Sequence, residues 1–63
     1  MKAKEYREVV KILKAHGFYL ERTNGSHEQY KNDDGITVPV KCTAKVIPVG
    51  TLKNIEKITG IKF

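Results

Sequence analysis

Two turn signals bracket the short polar segment from Ser26 to Lys31: Asn24-Gly25 precedes it and Asn32-Asp33-Asp34-Gly35 follows it. Asn and Gly tolerate the positive φ angles of tight reversals, so each signal lets the chain turn back within a few residues. Residues 18 to 22, Phe-Tyr-Leu-Glu-Arg, suit a half-buried strand with Phe18 and Leu20 facing inward, and Ile36 to Lys41 puts Ile36, Val38 and Val40 on one face of another. Three extended stretches joined by two tight turns make an antiparallel meander. The two ends of the chain must then cover one face of a small sheet.

Both ends carry helical patterns. From Lys4 to His16 the residues Tyr6, Val9, Val10 and Leu13 fall at i, i+3, i+4 and i+7, and Gly17 follows where a left-handed cap is wanted. Lys4, Glu8 and Lys11, flanked by Arg7 and Lys14, occupy the opposite, solvated face. Near the C-terminus Pro48 suits a first helical turn, Leu52, Ile55 and Ile58 form a stripe, and Gly60 ends it. Thr51 is an alternative N-cap. Ile61 and Phe63 are expected to return to the core, and Pro39 marks its strand as a sheet edge because it lacks a ladder donor. Residues 42 to 47 show no usable periodicity and are expected to be irregular. The expectation is an α+β domain spanning residues 1–63, ordered α-β-β-β-α, with both helices on one face of the sheet and the other face open.

A chain of 63 residues buries only about 60% of the surface its unfolded form exposes, so the core must be small. Twelve Lys and Arg against seven Asp and Glu give a net charge of +5, which favours polyanionic partners. Cys42 is the sole cysteine, which rules out an internal disulfide and any Cys-x-x-Cys metal pairing. No run of about 18 apolar residues and no signal-peptide core is present, so a cytoplasmic protein without metal or other cofactor is expected.

His27 is the leading candidate for chemistry, since imidazole titrates near neutral pH and serves as acid or base with little tuning. Gly25 and Ser26 set the geometry of its approach, and Arg22 and Lys31 lie at either end of the segment. In an unbroken strand His27, Gln29 and Lys31 share one face, assigned to the open side, while Tyr30 points to the core. His16 belongs to the last turn of the first helix, where the carbonyl end of the helix dipole accounts for it. Cys42 has no activating partner, Asp33 and Asp34 belong to a turn, and Ser26-His27 lacks the acidic orienter of a hydrolase triad. If the second helix starts at Pro48, free amides around Val49 to Thr51 offer an anion site that Gly50 leaves accessible, and Lys53 and Lys57 can extend a basic track.

The ordered set of Gly25-Ser26-His27 with Tyr30, the Asp34-Gly35 turn, Val38-Pro39-Val40, and Ile47-Pro48-x-Gly50-Thr51-Leu52-x-x-Ile55 resembles the HicA toxins over almost the whole chain. The resemblance implies a type II toxin that cleaves messenger RNA on a fold similar to the double-stranded-RNA-binding domain. It further implies that His27 is the catalytic residue and that a HicB antitoxin binds the toxin and blocks its site. Many members carry a histidine after the Val-Pro-x segment, and this chain has Lys41 there.

The residues suit that chemistry. A neutral His27 can take the proton from a ribose 2′-hydroxyl, which then attacks the neighbouring phosphorus without a metal ion. Lys31, Lys41 or Arg22 can stabilise the charge that builds on the phosphate. His27 itself, a lysine, Tyr30 and water are all open as the acid for the leaving oxygen. A non-catalytic RNA-binding module, and a protein that docks a partner on its open sheet face, are the alternatives the same composition allows.

Overall fold

The computed structural model describes residues 2–63. Its elements run β1 (Lys4–Glu5), α1 (Tyr6–Ala15), β2 (Tyr19–Asn24), β3 (His27–Lys31), β4 (Thr37–Lys41), β5 (Val46–Ile47) and α2 (Val49–Thr59). Two helices and an antiparallel sheet ordered β2-β3-β4 reproduce the expected α+β architecture. Neither helix is long and apolar enough to cross a membrane.

The first helix starts later than its pattern suggests. Lys4 and Glu5 pair antiparallel with Ile47 and Val46, and the Tyr6 amide donates to the Lys45 carbonyl at 3.0 Å. The end of the 42–47 segment, expected to be irregular, is therefore a strand. Two residues are too few to display a period, and their partner lies at the far end of the sequence. At its other end α1 closes in a Schellman arrangement: Gly17 has φ 85°, its amide donates to the Lys14 carbonyl at 3.1 Å, and the Phe18 amide donates to the Leu13 carbonyl at 3.0 Å. That closure turns Phe18 into the core, where it is buried. The His16 ring Nδ1 lies 2.9 Å from the Ile12 carbonyl, and because a carbonyl can only accept, the nitrogen donates. That bond ties the ring to the carbonyl end of α1.

In the meander, Tyr30 pairs with Val38 and Glu28 with Val40, and Tyr30, Val38 and Val40 are buried against the helices. The opposite face presents His27, Gln29 and Lys31 against Lys41, Pro39 and Thr37. Pro39 sits on β4, an edge strand as its missing N–H requires. On β2 the register shifts between Leu20, opposite Tyr30, and Arg22, opposite Gln29. The extra residue is a bulge that carries Arg22 to the face shared by Gln29 and His27. Leu20 was expected to pack inward, yet it is 44% exposed. It pairs toward the core face, but β2 is the other edge strand, and α2 packs on β4 while α1 packs beside β5, so neither helix covers it.

Pro48 is the N-cap of α2 with extended backbone, rather than a residue of the first turn, and Thr51 lies inside the helix. Gly60 closes it with φ 77°, and Ile61 then returns to the core, its amide donating to the Thr59 hydroxyl at 3.2 Å. Leu52 and Ile55 are buried, whereas Ile58, expected in the same stripe, is 38% exposed. At about 100° per residue Ile58 lies about 120° around the helix from Leu52, which turns it away from the core. The core itself unites Val9 and Leu13 of α1, Phe18, Tyr30, Val38, Val40, Ile47, Leu52, Ile55 and Ile61. Each fully buried aliphatic side chain among them contributes about 1.5–3 kcal/mol.

Candidate functional site

His27 is the first residue of β3, directly after the hairpin turn. Asn24 pairs with His27, so Gly25 and Ser26 are the two central residues of the turn. Gly25 has φ 63°, and among the described residues none other than glycine has positive φ, the pattern of a type II′ turn with its glycine first. The reversal is thus one residue later than Asn24-Gly25 alone suggests. The Ser26 carbonyl accepts from the Cys42 amide at 2.8 Å and from the Cys42 thiol at 3.2 Å, which ties the turn to the end of β4. His27 is therefore held on both sides, by Asn24 on β2 and by Lys41 on β4. Its ring is exposed, with Nδ1 at a long 3.4 Å from the Ser26 hydroxyl.

A groove of about 220 Å³ opens beside the imidazole, where α2 passes the edge of β4. His27, Lys41, Thr51 and Asn54 contribute its polar groups, and Pro39 and Ile58 its exposed apolar surface, with the buried Val38 and Ile55 beneath. The helical contribution follows from geometry. Residues 51, 54, 55 and 58 span about 100° of one helix face, while Lys53 lies about 160° from Thr51. Lys53 accordingly stands outside the groove, and Asn54, which the apolar stripe and the glycine pattern passed over, lies inside it. A search for polar residues at i and i+3 flanking the stripe finds it.

The other expected site residues divide. Arg22 and Gln29 are cross-strand partners on the His27 face, one row along the sheet. Lys31 is on the same face but its ammonium pairs with the Glu21 carboxylate at 3.3 Å. Gly50 is exposed at the start of α2, where the Leu52 amide makes the first intrahelical bond, to the Pro48 carbonyl at 3.0 Å. The amides of Val49, Gly50 and Thr51 consequently lack intrahelical partners.

Tyr30 does not share the groove. It is buried on the other face of β3, where the Glu28 carboxylate accepts from the Tyr6 hydroxyl and, at 3.4 Å, from that of Tyr30. Burial, with the Glu28 carboxylate close by, pushes both phenols above their usual range. A larger cleft of about 580 Å³ lies between the start of α1 and the 42–45 loop. It holds no imidazole, and its Glu5 and Arg7 pair with each other at 3.4 Å.

A family model described as the HicA toxin of bacterial toxin-antitoxin systems matches residues 6–61. Comparison with curated proteins and with solved structures gives no match. The matched span contains every element from α1 to the end of α2, and with them all the groove residues.

Proposed function

The chain belongs to the HicA toxins of bacterial toxin-antitoxin systems, and from that premise we propose that it is an endoribonuclease that cleaves messenger RNA in the cytoplasm, with His27 as its acid-base group. The observation that carries the proposal is the pairing of His27 with Lys41 at the rim of the groove. Directly opposed residues of an antiparallel ladder have Cβ atoms about 4.5–5.5 Å apart, so an imidazole and an ammonium there can address one phosphate.

In the proposed reaction neutral His27 takes the proton of a ribose 2′-hydroxyl, and the 2′-oxygen forms a bond to the adjacent phosphorus. Lys41 faces the charge that accumulates on the non-bridging oxygens. The bond from phosphorus to the 5′-oxygen then breaks, and that oxygen takes the proton back from His27. One strand ends in a 2′,3′-cyclic phosphate and the other in a 5′-hydroxyl. RNA supplies its own nucleophile, so no metal ion is needed for the attack. Arg22 and Gln29 extend the surface for the strand, and the free amides at Gly50 and Thr51 can take a neighbouring phosphate. Gly25 and Ser26 act by positioning, while Lys31, drawn to Glu21, and Lys53, off the groove, contribute charge at longer range.

A HicB-type antitoxin is the partner of this reading, and it silences the toxin by covering the His27 face. Cleavage of a single-stranded RNA in EDTA is the test. His27→Ala is expected to lose about 10²-fold or more in rate while folding and binding RNA as before. A strand with 2′-deoxyribose at the cut position is expected to survive. Folded wild-type protein that binds RNA and leaves it intact overturns the nuclease reading in favour of a binding module.

A further inference from the structure

The groove beside His27 is small, and its composition is uneven. At about 220 Å³ it falls below the roughly 300–1,000 Å³ of sites for drug-sized ligands, and it has room for one flat ring. Pro39 and Ile58 provide exposed apolar contact above the buried Val38 and Ile55, and Ile58 stays substantially exposed although nothing in the core requires it there. Asn54 is exposed on the same helix face, and the side-chain hydrogen bonds of α2 are made by Thr59 and Glu56 instead. Its amide offers a donor and an acceptor side by side, uncommitted, beside an apolar slot.

We infer that this groove receives one unstacked nucleobase of single-stranded RNA next to the bond being cut, and that Asn54 reads the edge of that base. Bases of single-stranded RNA splay out and are read by hydrogen bonds to their edges, and a base removed from its stack is held between apolar side chains. Every base edge presents donors or acceptors in a fixed order, and a side-chain amide of fixed orientation matches some orders better than others. The surrounding charge suits the ligand: Lys41 lines the groove, Arg22 lies on the same sheet face, and the whole chain carries +5. Asn54 is thereby a specificity residue, separate from the proton chemistry at His27. For the bond it flanks, the inference rests on the ribonuclease reading; for the base site itself it does not.

Two measurements test it. In the first, cut sites in a randomised single-stranded RNA are mapped by sequencing. Wild-type protein is expected to favour one base at a position adjoining the cut. Asn54→Ala should flatten that preference by about 10- to 100-fold, the scale of one amide-base match. Asn54→Asp, which keeps the acceptor and loses the donor, should change which base is favoured. In the second, affinities for 2′-deoxy-blocked strands differing in a single base are measured at fixed salt. A wild-type preference that Asn54→Ala abolishes supports the base site even if no strand is ever cut, in which case only the nuclease reading falls. Cleavage with no base preference, or with a preference that both Asn54 variants retain, overturns the inference and leaves the nuclease reading in place.

Discussion

His27 and Lys41 stand opposite each other across the β3–β4 ladder, both exposed, both at the rim of one groove. The Cys42 amide, one residue further on, bonds the Ser26 carbonyl at 2.8 Å, so the backbone of the pair is clamped by the ladder and by the turn beside it. An imidazole and an ammonium are thus placed across from each other by backbone hydrogen bonds.

Lys41 is expected to act on the transition state. Lys41→Ala should lower kcat by about 10²-fold, comparable to the loss of one preorganised donor to a developing charge, with little change in melting temperature. Lys41→His should restore activity at acid pH only, because an imidazole loses its charge between about pH 5 and 8, whereas lysine keeps it. Rates of the two proteins from pH 5 to 8 decide this. A ratio of variant to wild type that does not fall with rising pH would mean that the charge at position 41 is irrelevant.

Gly25 holds the turn that aims His27. At φ 63° an added Cβ meets no neighbouring atom within 4 Å, so the cost of substitution is conformational and not steric. Gly25→Ala is expected to destabilise by about 1–2 kcal/mol, read from chemical denaturation. Because the Asn24–His27 pairing depends on this turn, the rate should fall as well, under conditions where the variant is fully folded. Unchanged stability would show that the turn relaxes into another form at no cost.

Much of this arrangement was legible in the residues, for identifiable reasons. Asn-Gly and Asp-Gly signals, a Gly17 cap and the alternation of Val38 and Val40 are local features, and local features fix turns, helix ends and strand faces. Strand parity sets Tyr30 on the face opposite His27, and with the His27 face assigned to the open side Tyr30 falls to the core, where it is buried. What the residues hid depends on contacts between distant parts of the chain. The pairing of Lys4–Glu5 with Val46–Ile47 has no periodic trace, the bulge that turns Arg22 toward His27 is set by register, and the exposure of Leu20 reflects two helices covering less than three strands. Asn54 was hidden for a different reason: it has no signal except its position on a helix face whose neighbour is known only once β4 is in place.

Tyr6 ties α1 to the sheet through its hydroxyl bond to Glu28. Tyr6→Phe should cost about 1–2 kcal/mol, less than a fully buried charge-assisted bond because the site is part-exposed. That corresponds to a melting temperature lower by roughly 4–16 °C. The pH dependence has a definite sign. Burial, and then the bond to Glu28, raise the folded phenol above the usual tyrosine value of about 10, so the native state holds the proton more tightly than the unfolded chain. Its contribution is complete below pH 10 and is lost as pH rises above that value. Denaturation curves at pH 7 and between pH 9 and 11 should show wild type losing stability faster than Tyr6→Phe. Parallel losses would remove the hydroxyl bond from the account of stability.

Glu21 restrains a cation on the proposed RNA face. The Lys31–Glu21 pair at 3.3 Å is half-exposed, with both side chains 38% accessible. Pairs of this kind contribute about 0–1 kcal/mol to folding, so Glu21→Gln should leave the melting temperature nearly unchanged. Its effect belongs to binding. Lys31 lies on the strand face of His27 and Gln29, and once released from Glu21 its ammonium is free to meet a phosphate. Affinity for single-stranded RNA should rise, and the slope of log affinity against log salt should steepen by about 0.7, the value of one further phosphate contact. Titrations of wild type and Glu21→Gln at several salt concentrations separate the outcomes. A higher affinity with an unchanged slope would mean only that a repulsive carboxylate had been removed, and an unchanged affinity would place Lys31 outside the path of the strand.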